Sequence, residues 1–433
     1  MMKAINVEWT PSLHGSVNIP GSKNSSLALL AATCLADEPV TLHGIPDIAD
    51  LRVIYEIAQE LGLHVLHEGS GTVVMDPRSI MNASLDPVKS SSFRAAYYFV
   101  GSLLAKFGKV TVGYPGGDDF VSRPMDQHVK ALQMMGATFT FHQDSYTVEA
   151  KELRGTSIYF DMITSGATIN IMLAAVRAKG TTVLLNAARD PEVTDTANLL
   201  NQLGARITGA GTDMIRIEGV SSLRGGEYTV IPDRLIAGAF LMAAGVTGGS
   251  VTVQHVIPEH LSSCLAKLRE IGLELDVQDN AITAHSNGIL RAVRVRTAMY
   301  PGFATDLQQP LTALLTQARG KSIIGERIYP NRFNHAHQLV RMGANIKIRS
   351  GVASIQGGIP LRGTLVHASD VRAGICLILA GLRAEGTTTI AGVQHIDRGY
   401  EDVVGSFRAL GANIRMFDSE EKLSKEAKLK QSN

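Results

Sequence analysis

Six glycines at nearly regular intervals constrain the fold of this chain more than any other feature. Each ends an apolar run with helical spacing, in a Leu/Met/Ile-Gly-Ala/Leu step, and a short β-type segment follows. The six positions are Gly62, Gly136, Gly204, Gly272, Gly343 and Gly411. Subtraction of their residue numbers gives intervals of 74, 68, 68, 71 and 68 residues. Spacing of this kind is typical of a repeated supersecondary unit, so we predict six copies of one unit.

Each repeat has the same order of predicted elements. An apolar helix comes first, as at residues 26–32, and a turn, a β run, a second helix, the glycine step and one or two strands follow. Similar first helices recur at residues 169–176, 236–244, 311–318 and 375–382. They are apolar on most faces, which indicates that they are buried. The glycine after each second helix suits a C-cap with positive φ, which glycine adopts without strain.

Two domains of three repeats each are expected, because a chain of 433 residues is too long for a single hydrophobic core. The Gly- and Ser-containing run at residues 219–227, which precedes a new β run, is the best candidate for a linker. We therefore place the break between the two halves at residues 228/229. Residues 418–433 have many charges and almost no apolar side chains, which indicates a flexible tail.

Composition and charge narrow the class of protein. The formal net charge is +1, which removes any broad electrostatic argument for binding nucleic acid or an anionic membrane. No apolar run reaches the length of a membrane span and no signal peptide is recognisable, so we expect a cytoplasmic location. The cysteines are Cys34, Cys264 and Cys376, each in an apolar helical context. We expect reduced core thiols, without a disulfide framework or a CxxC metal site.

The segment PGGDDFVSRPMDQH, residues 115–128, is predicted to be a long loop between a β run and an amphipathic helix. Such loops carry function because a rigid scaffold holds them. The glycines allow a tight turn, the tip carries the adjacent carboxylates Asp118 and Asp119, and Arg123 precedes the helix. This combination suits a proton donor beside an anion. When the loop is taken alone, an ordinary acidic surface turn is the better explanation.

Charged residues at predicted helix starts form a second pattern. Lys23 opens the first helix, where free backbone N–H groups favour an anion, but the P-loop order is not met and nucleotide hydrolysis is not supported. In the C-terminal half, Asp306 opens another helix, and three arginines lie at further helix starts: Arg332, Arg372 and Arg398. Taken singly, Asp306 fits a plain N-cap and each arginine fits a surface residue. Their recurrence within a repeat implies a multiply charged anionic substrate.

These motifs occur in the order typical of the enolpyruvyl transferase family, which the chain resembles from about residue 5 to residue 416. The segments that carry the resemblance are GSKN, the PGGDDFVSRP loop, NAARDPEVTDTANLL, PGFATD, NRFNHAHQLVRMGA, SDVRA and HIDRGYED. The resemblance implies an α/β (α+β) fold of two similar domains, each an inside-out α/β barrel of three βαβαββ units. It implies one domain from residues 1–22 and 229–417 and a second from residues 23–228. It also implies a cleft between the domains that closes on substrate.

The reaction implied by the resemblance transfers the enolpyruvyl group of phosphoenolpyruvate to the 3-hydroxyl of UDP-N-acetylglucosamine, the first committed step of peptidoglycan synthesis. A base deprotonates the hydroxyl, which attacks C2 while an acid protonates C3, and loss of phosphate then leaves the enol ether. The expected partners are these two small molecules, with phosphoenolpyruvate as a co-substrate. No cofactor, metal, nucleic acid or membrane is expected, and the oligomeric state is left open.

The resemblance also implies roles for residues by position. Lys23 would help to hold phosphoenolpyruvate, Asn24 would contact the sugar, and Asp306 would be the base at the acceptor hydroxyl. The acid would lie at the tip of the PGG loop, at Asp118. The arginines suit phosphoenolpyruvate, which carries a phosphate and a carboxylate. The full set of implied substrate-binding residues is Lys23, Asn24, Arg94, Arg123, Pro124, Met125, Asp126, Gln127, Thr164, Gly166, Asp306, Ile328, Arg332, Asp370, Arg372 and Arg398.

Two positions depart from the family pattern. Most members have a cysteine where this chain has Asp118, although some bacterial members carry aspartate. Fosfomycin alkylates that cysteine, and a carboxylate is a far weaker nucleophile, so this protein is expected to be fosfomycin-insensitive. A lysine that serves the nucleotide diphosphate is usual where this chain has Met162. That second departure weakens the assignment of UDP-N-acetylglucosamine as the acceptor.

Three alternatives to the main assignment stay open. A paralogue that uses another uridine nucleotide, such as UMP, is favoured by Met162. The shikimate-pathway relative is disfavoured because its Asn-Ala-Gly-Thr segment is absent near Arg94. A non-catalytic regulatory homologue is disfavoured by the retention of charged residues at the helix starts.

Overall fold

The computed structural model describes residues 3–81, 83–91, 96–116 and 125–418. Backbone contacts divide the chain into two compact units. Unit 1 contains the described residues of Met1–Ile19 and Asp233–Asn433, and unit 2 is Pro20–Pro232. The chain therefore passes from one unit to the other twice, after Ile19 and after Pro232.

Helices occur throughout the described residues in both units. In chain order they are α1 (Lys23–Thr33), α2 (Ala49–Leu61), α3 (Pro87–Ser91), α4 (Tyr97–Phe107), α5 (Asp126–Met134), α6 (Ser165–Ala175), α7 (Pro191–Gln202), α8 (Arg234–Thr247), α9 (Ser262–Ile271), α10 (Thr305–Thr316), α11 (Asn334–Arg341), α12 (Val371–Gly381), α13 (Val393–Ile396) and α14 (Val403–Ala409). Six of them are buried along almost their whole length: α1, α4, α6, α8, α10 and α12.

Strands alternate with these helices. They are β1 (Lys3–Glu8), β2 (His14–Asn18), β3 (Val40–His43), β4 (His64–Gly69), β5 (Thr72–Asp76), β6 (Lys109–Gly113), β7 (Thr138–Phe141), β8 (Ser145–Glu149), β9 (Ser157–Tyr159), β10 (Thr181–Leu185), β11 (Arg206–Thr208), β12 (Met214–Glu218), β13 (Gly226–Thr229), β14 (Ser250–Gln254), β15 (Glu274–Val277), β16 (Ala281–His285), β17 (Arg294–Arg296), β18 (Gly320–Gly325), β19 (Asn345–Arg349), β20 (Val352–Gly357), β21 (Leu361–Arg362), β22 (Leu365–His367), β23 (Ala384–Glu385), β24 (Thr387–Ala391) and β25 (Ile414–Asp418).

The described residues of unit 2 form three sheets, with strand orders β13-β3-β5-β4, β6-β8-β7 and β11-β12-β10-β9. In the first sheet β13 runs parallel to β3, with Tyr228 opposite Leu42, and the other two pairs are antiparallel. One apolar core joins the inner faces of the sheets to α1, α4 and α6. Helices α2, α5 and α7 bury one face and expose the other, as amphipathic helices do at the surface of a domain.

Unit 1 repeats this arrangement with the sheets β22-β24-β1-β25, β15-β16-β14-β2 and β17-β18-β20-β19, and a separate pair of β21 and β23. The N-terminal segment completes two of these sheets. Strand β1 lies between β24 and β25, and β2 runs parallel to β14 with Val17 opposite Val253. Its core contains α8, α10 and α12. Residues 3–19 are therefore part of the unit built mainly from the C-terminal half.

The six glycines that define the repeat have the positive φ that was predicted for a helix C-cap. Gly62, Gly136, Gly204, Gly272, Gly343 and Gly411 all have positive φ, between 93° and 116°. Each follows the second helix of its repeat, so three repeats lie in each unit. The predicted division at residues 22/23 and 228/229 differs slightly from the contact-based one. The second predicted boundary falls inside β13, which begins at Gly226 and pairs with β3 inside unit 2.

Cys34, Cys264 and Cys376 are free and buried, as predicted. Burial raises the pKa of the Cys34 and Cys264 thiols to about 12, which makes them poor nucleophiles. Among the described helices, none combines the length and the apolar character that crossing a membrane requires. The predicted tail, residues 418–433, lies outside the described residues apart from Asp418.

Candidate active site

Lys23 lies at the start of α1 in unit 2. The hydroxyl of Ser22 caps this helix by accepting a hydrogen bond from Ser25 N at 3.3 Å. Lys23 Nζ lies 2.6 Å from Oδ2 of Asp50, in the first turn of α2, and only 13% and 9% of the two side chains is exposed. Asn24 follows and is half-buried. The ion pair therefore holds an ammonium group at a helix N-terminus, where backbone N–H groups favour an anion.

A hydrogen-bonded group joins the start of α5 to the segment before α6. Gln127 Oε1 accepts from Asp161 N at 2.9 Å, and Gln127 Nε2 donates to Asp126 Oδ2 at 2.8 Å. Lys130 donates to Asp161 Oδ2 at 2.8 Å and to the carbonyl oxygen of Tyr159 at 3.0 Å. The resemblance implies that Gln127 contacts substrate. Here its amide also holds Asp161, through the backbone nitrogen and the side chain of that residue.

The start of α6 contains two of the expected substrate-binding residues. Thr164 caps the helix, and its hydroxyl accepts from Ala167 N at 3.4 Å. At Gly166 a Cβ atom would lie 2.3 Å from Tyr97 Oη, so a larger residue would displace that ring. Met162 has 64% of its surface exposed. An apolar side chain thus stands in solvent where the family usually has a lysine.

In unit 1, Asp306 lies between two arginines. Arg332 Nη1 donates to Asp306 Oδ1 at 2.6 Å, and Arg372 Nε donates to Asp306 Oδ2 at 3.1 Å. The arginine side chains are 5% and 6% exposed, and that of Asp306 is 27% exposed. The first turn of α10, the first turn of α12 and the loop before α11 supply the three residues. Two guanidinium groups therefore share one carboxylate.

The electrostatics follow from this geometry. Burial by itself raises the pKa of Asp306, but the charges and hydrogen bonds of Arg332 and Arg372 outweigh burial and hold that pKa well below its usual range. Burial also works against both guanidinium charges. Asp306 outweighs it, together with Asp370 at Arg332 and Asp233 at Arg372, so the pKa of each arginine is raised. All three groups are therefore ionised at neutral pH.

Two more expected residues adjoin this group. Asp370 is the N-cap of α12, and its Oδ1 accepts from Arg372 N at 2.8 Å and from Ala373 N at 3.1 Å. Arg398 is half-buried just after α13. The next residue, Gly399, packs so closely on Val371 that a Cβ atom would lie 2.6 Å from its Cγ1. Arg398 is therefore near the first turn of α12.

Several expected site residues lie outside the described residues: Arg94, Asp118, Arg123 and Pro124. Met125 precedes α5 and is half-buried. In the part of the chain that the structure describes, no three His, Cys, Asp or Glu side chains come together as metal ligands. The expected absence of a metal stays a prediction.

Sequence reasoning did not identify Asp50, Thr305 or Glu326. Asp50 pairs with Lys23, and Thr305 Oγ1 accepts a hydrogen bond from Arg332 Nη1 at 3.2 Å. Glu326 is buried beside Thr305. One signal was available, because Glu326 directly follows an apolar β run and a carboxylate in that setting needs several donors.

The comparisons with known proteins cover almost the whole chain. Residues 7–407 match the family described as EPSP synthase (3-phosphoshikimate 1-carboxyvinyltransferase). UDP-N-acetylglucosamine 1-carboxyvinyltransferase 2 of Bacillus anthracis is 46% identical over 413 residues, 95% of this chain and 96% of that protein. The protein of the same name from Bacillus subtilis (strain 168) is 46% identical over 423 residues, 97% and 98% of the two chains.

A solved structure shows the same architecture. The enolpyruvyl transferase NikO from Streptomyces tendae superposes with a TM-score of 0.88 at 27% identity, over 96% of this chain and 99% of that one. This agreement confirms the predicted fold. By sequence along nearly its full length and by architecture, the chain belongs to the EPSP synthase family of enolpyruvyl transferases.

Proposed function

We propose that this protein transfers the enolpyruvyl group of phosphoenolpyruvate to the 3-hydroxyl of UDP-N-acetylglucosamine and releases phosphate. The reaction commits the nucleotide sugar to peptidoglycan synthesis. Curated relatives at 46% identity carry the name of this activity over nearly their full length. The cytoplasmic location expected from the sequence is part of the same proposal.

The observation that carries the proposal is the group formed by Arg332, Asp306 and Arg372. Phosphoenolpyruvate carries two anionic groups, and guanidinium groups bind phosphate and carboxylate through paired hydrogen bonds. Arg332 and Arg372 place two such guanidinium groups side by side on the Asp306 carboxylate. A carboxylate in the same group is suitably placed to accept a proton from a hydroxyl brought against the bound phosphoenolpyruvate.

Asp306 acts as the base once substrate has changed its surroundings. With both arginines against it, its pKa is low and it is a weak base. Anionic substrate groups that bind Arg332 and Arg372 draw those charges away from Asp306, which raises its pKa. The hydroxyl oxygen then attacks C2 and C3 takes a proton. In the second step C3 returns that proton as the C2–O bond to phosphate breaks.

The other expected residues take supporting roles in this proposal. Lys23, held by Asp50, supplies a cation for phosphoenolpyruvate at the N-terminus of α1. Asp118 supplies the proton to C3 from the loop that carries it. Since a carboxylate replaces the usual thiol at this position, insensitivity to fosfomycin stays a prediction.

The acceptor is the part of the proposal that the chain's own residues leave most open. The exposed Met162 favours an acceptor without a diphosphate, such as UMP. The names of the full-length relatives favour UDP-N-acetylglucosamine, and we adopt it.

A phosphate-release assay tests the proposal directly. The purified protein is incubated with phosphoenolpyruvate and one acceptor at a time: UDP-N-acetylglucosamine, UMP or shikimate 3-phosphate. We expect phosphate release with the first acceptor, and mass spectrometry should find the enol ether in equal amount. Phosphate release with UMP and not with UDP-N-acetylglucosamine would make UMP the acceptor. No phosphate release with any of the three compounds would reject the proposal.

A further inference from the structure

Glu326 is a buried carboxylate with four hydrogen-bond donors. It follows the end of β18 and is 1% exposed. Its Oε1 accepts from Thr297 Oγ1 at 2.7 Å, from Ile328 N at 2.8 Å and from Tyr329 N at 3.0 Å. Its Oε2 accepts from Thr305 Oγ1 at 2.9 Å. Donors of this number replace the water that a carboxylate loses on burial.

The direction of these hydrogen bonds is determined by the carboxylate. An ionised carboxyl group only accepts, so the hydroxyl of Thr305 must donate to Glu326. The lone pairs of that hydroxyl then face Arg332, whose Nη1 donates to Thr305 Oγ1 at 3.2 Å. The same Nη1 atom lies 2.6 Å from Asp306 Oδ1. Glu326 thus acts on the Arg332–Asp306 pair through one hydroxyl.

Thr305 and Asp306 are adjacent in the first turn of α10, and Arg332 arrives from the loop before α11. That loop begins at Glu326 itself, which also binds the amides of Ile328 and Tyr329. The carboxylate therefore joins the helix that carries the base to the loop that carries the arginine. One side chain thus contacts both the first turn of α10 and the loop that leads to Arg332.

We propose that Glu326 is a positioning residue for enolpyruvyl transfer, acting through the Thr305 hydroxyl to hold the Arg332 guanidinium against Asp306 in the orientation that phosphoenolpyruvate requires. The inference rests on the proposed function of the same group. Glu326 does not contact the substrate in this arrangement. Its contribution is the alignment of a cation and a base, which are sensitive to displacements of about 1 Å.

The chain offers a matched pair of variants. Thr297 and Thr305 both donate to Glu326, so each Thr→Val change removes one hydroxyl from the same carboxylate. They differ in what the hydroxyl accepts. Thr297 Oγ1 accepts from the backbone nitrogen of Arg327 at 2.8 Å, whereas Thr305 Oγ1 accepts from the side chain of Arg332. A purely structural role for Glu326 predicts similar effects for the two variants.

The experiment compares Thr305→Val with Thr297→Val in the full-length protein. Both variants should lower Tm, because each leaves a buried acceptor with one donor fewer. Only Thr305→Val should lower kcat, on the order of tenfold, and raise the KM for phosphoenolpyruvate. Thr297→Val should keep both constants close to wild type. Thr305→Ser, which retains the hydroxyl, should restore kcat.

Glu326→Gln provides a second measurement at the carboxylate itself. Glutamine has one acceptor oxygen for four donors, and its amide nitrogen is a donor. We expect a loss of kcat at least as large as that of Thr305→Val. Equal kcat values for Thr305→Val and Thr297→Val, or a Glu326→Gln enzyme with wild-type constants, would overturn the inference.

Failure of the proposed function is separated from failure of this inference by the wild-type assay, which is measured first. If the wild type releases no phosphate, calorimetric titration with phosphoenolpyruvate replaces the kinetic readout. Weaker binding by Thr305→Val than by Thr297→Val would then support positioning of Arg332. Equal binding by the two variants would reject it.

Discussion

The pairing of Asp306 with Arg332 and Arg372 illustrates what the sequence predicts at the residue scale. All three residues were predicted to be charged side chains at helix starts. Their mutual contact was not predicted, because it depends on how α10, α12 and the loop before α11 pack. Sequence spacing of 26 and 66 residues carries no such information. The same holds for Gln127, whose hydrogen bonds to the 161–164 segment appear only in the fold.

Replacement of Asp306 tests the catalytic role of this group. Asp306→Asn removes the charge that balances two arginines and the only carboxylate that we place at the acceptor hydroxyl. We expect turnover to fall on the order of 10²–10⁴-fold, measured as phosphate release. Asp276→Asn, a change of an exposed carboxylate on β15 in the same unit, is the control. If the turnover of Asp306→Asn were close to that of the control, Asp306 would have a structural and not a catalytic role.

His335 predicts a pH dependence of stability. It is buried, with Nε2 3.2 Å from Thr312 Oγ1, and burial together with the Arg332 charge lowers its pKa from 6.5 to about 3. Below pH 6.5 the unfolded chain therefore binds a proton that the folded chain does not. The free energy of unfolding should fall as pH drops from 6.5 towards 3, by about 1.4 kcal/mol per pH unit for this one proton.

The variant His335→Gln isolates that contribution. Glutamine keeps a donor near Thr312 but does not titrate. The variant should be less stable than wild type at pH 7.5, and the difference should shrink between pH 6.5 and 5 in chemical unfolding experiments. A difference that stays constant over this range would show that His335 does not titrate on unfolding.

At the scale of elements, helix ends and helix burial could be predicted from local sequence patterns, whereas side-chain contacts could not. The glycine steps predicted the ends of the second helices, since positive φ after a helix is a local requirement. The apolar first helices were predicted to be buried, and α1, α6, α8, α10 and α12 are. The predicted boundary at residues 228/229 falls inside β13, and sequence alone did not place it more exactly because the partner strand β3 is distant in sequence.

The cap of α12 connects element stability with the site. Asp370 holds the first turn through the backbone nitrogens of Arg372 and Ala373. Asp370→Ala should lower the free energy of unfolding by about 1 kcal/mol and weaken phosphoenolpyruvate binding, because Arg372 loses its fixed backbone position. Asp370→Asn retains a capping oxygen and should keep the stability close to wild type.

A second capped helix supplies the control for this prediction. Asp402 caps α14 by accepting from Gly405 N at 2.7 Å. Asp402→Ala should lower Tm by loss of the cap while phosphoenolpyruvate affinity, measured by calorimetry, stays unchanged. Equal loss of affinity in the two alanine variants would show that the effect of Asp370→Ala is general destabilisation.

At the scale of the whole molecule, the sequence predicted two domains of three repeats each. The regular glycine spacing and the chain length led to this architecture before any contact was known. The N-terminal strands were also expected in the domain of the C-terminal half, although that expectation came from the family resemblance. What the sequence could not provide was the strand pairing that determines where one unit ends, because pairing partners lie far apart along the chain.

Strand pairing predicts which pieces of the chain fold alone. Unit 2, Pro20–Pro232, is continuous, and its three sheets and its core are formed from its own residues. We expect a fragment of residues 20–232 to unfold cooperatively in circular dichroism.

A fragment of residues 233–418 lacks β1, so β24 and β25 lose the strand between them and an apolar edge is exposed. It should aggregate, whereas the same fragment fused through a glycine-rich linker to residues 3–19 should fold. A soluble, cooperatively folded 233–418 fragment without β1 would contradict this assignment of the N-terminal strands.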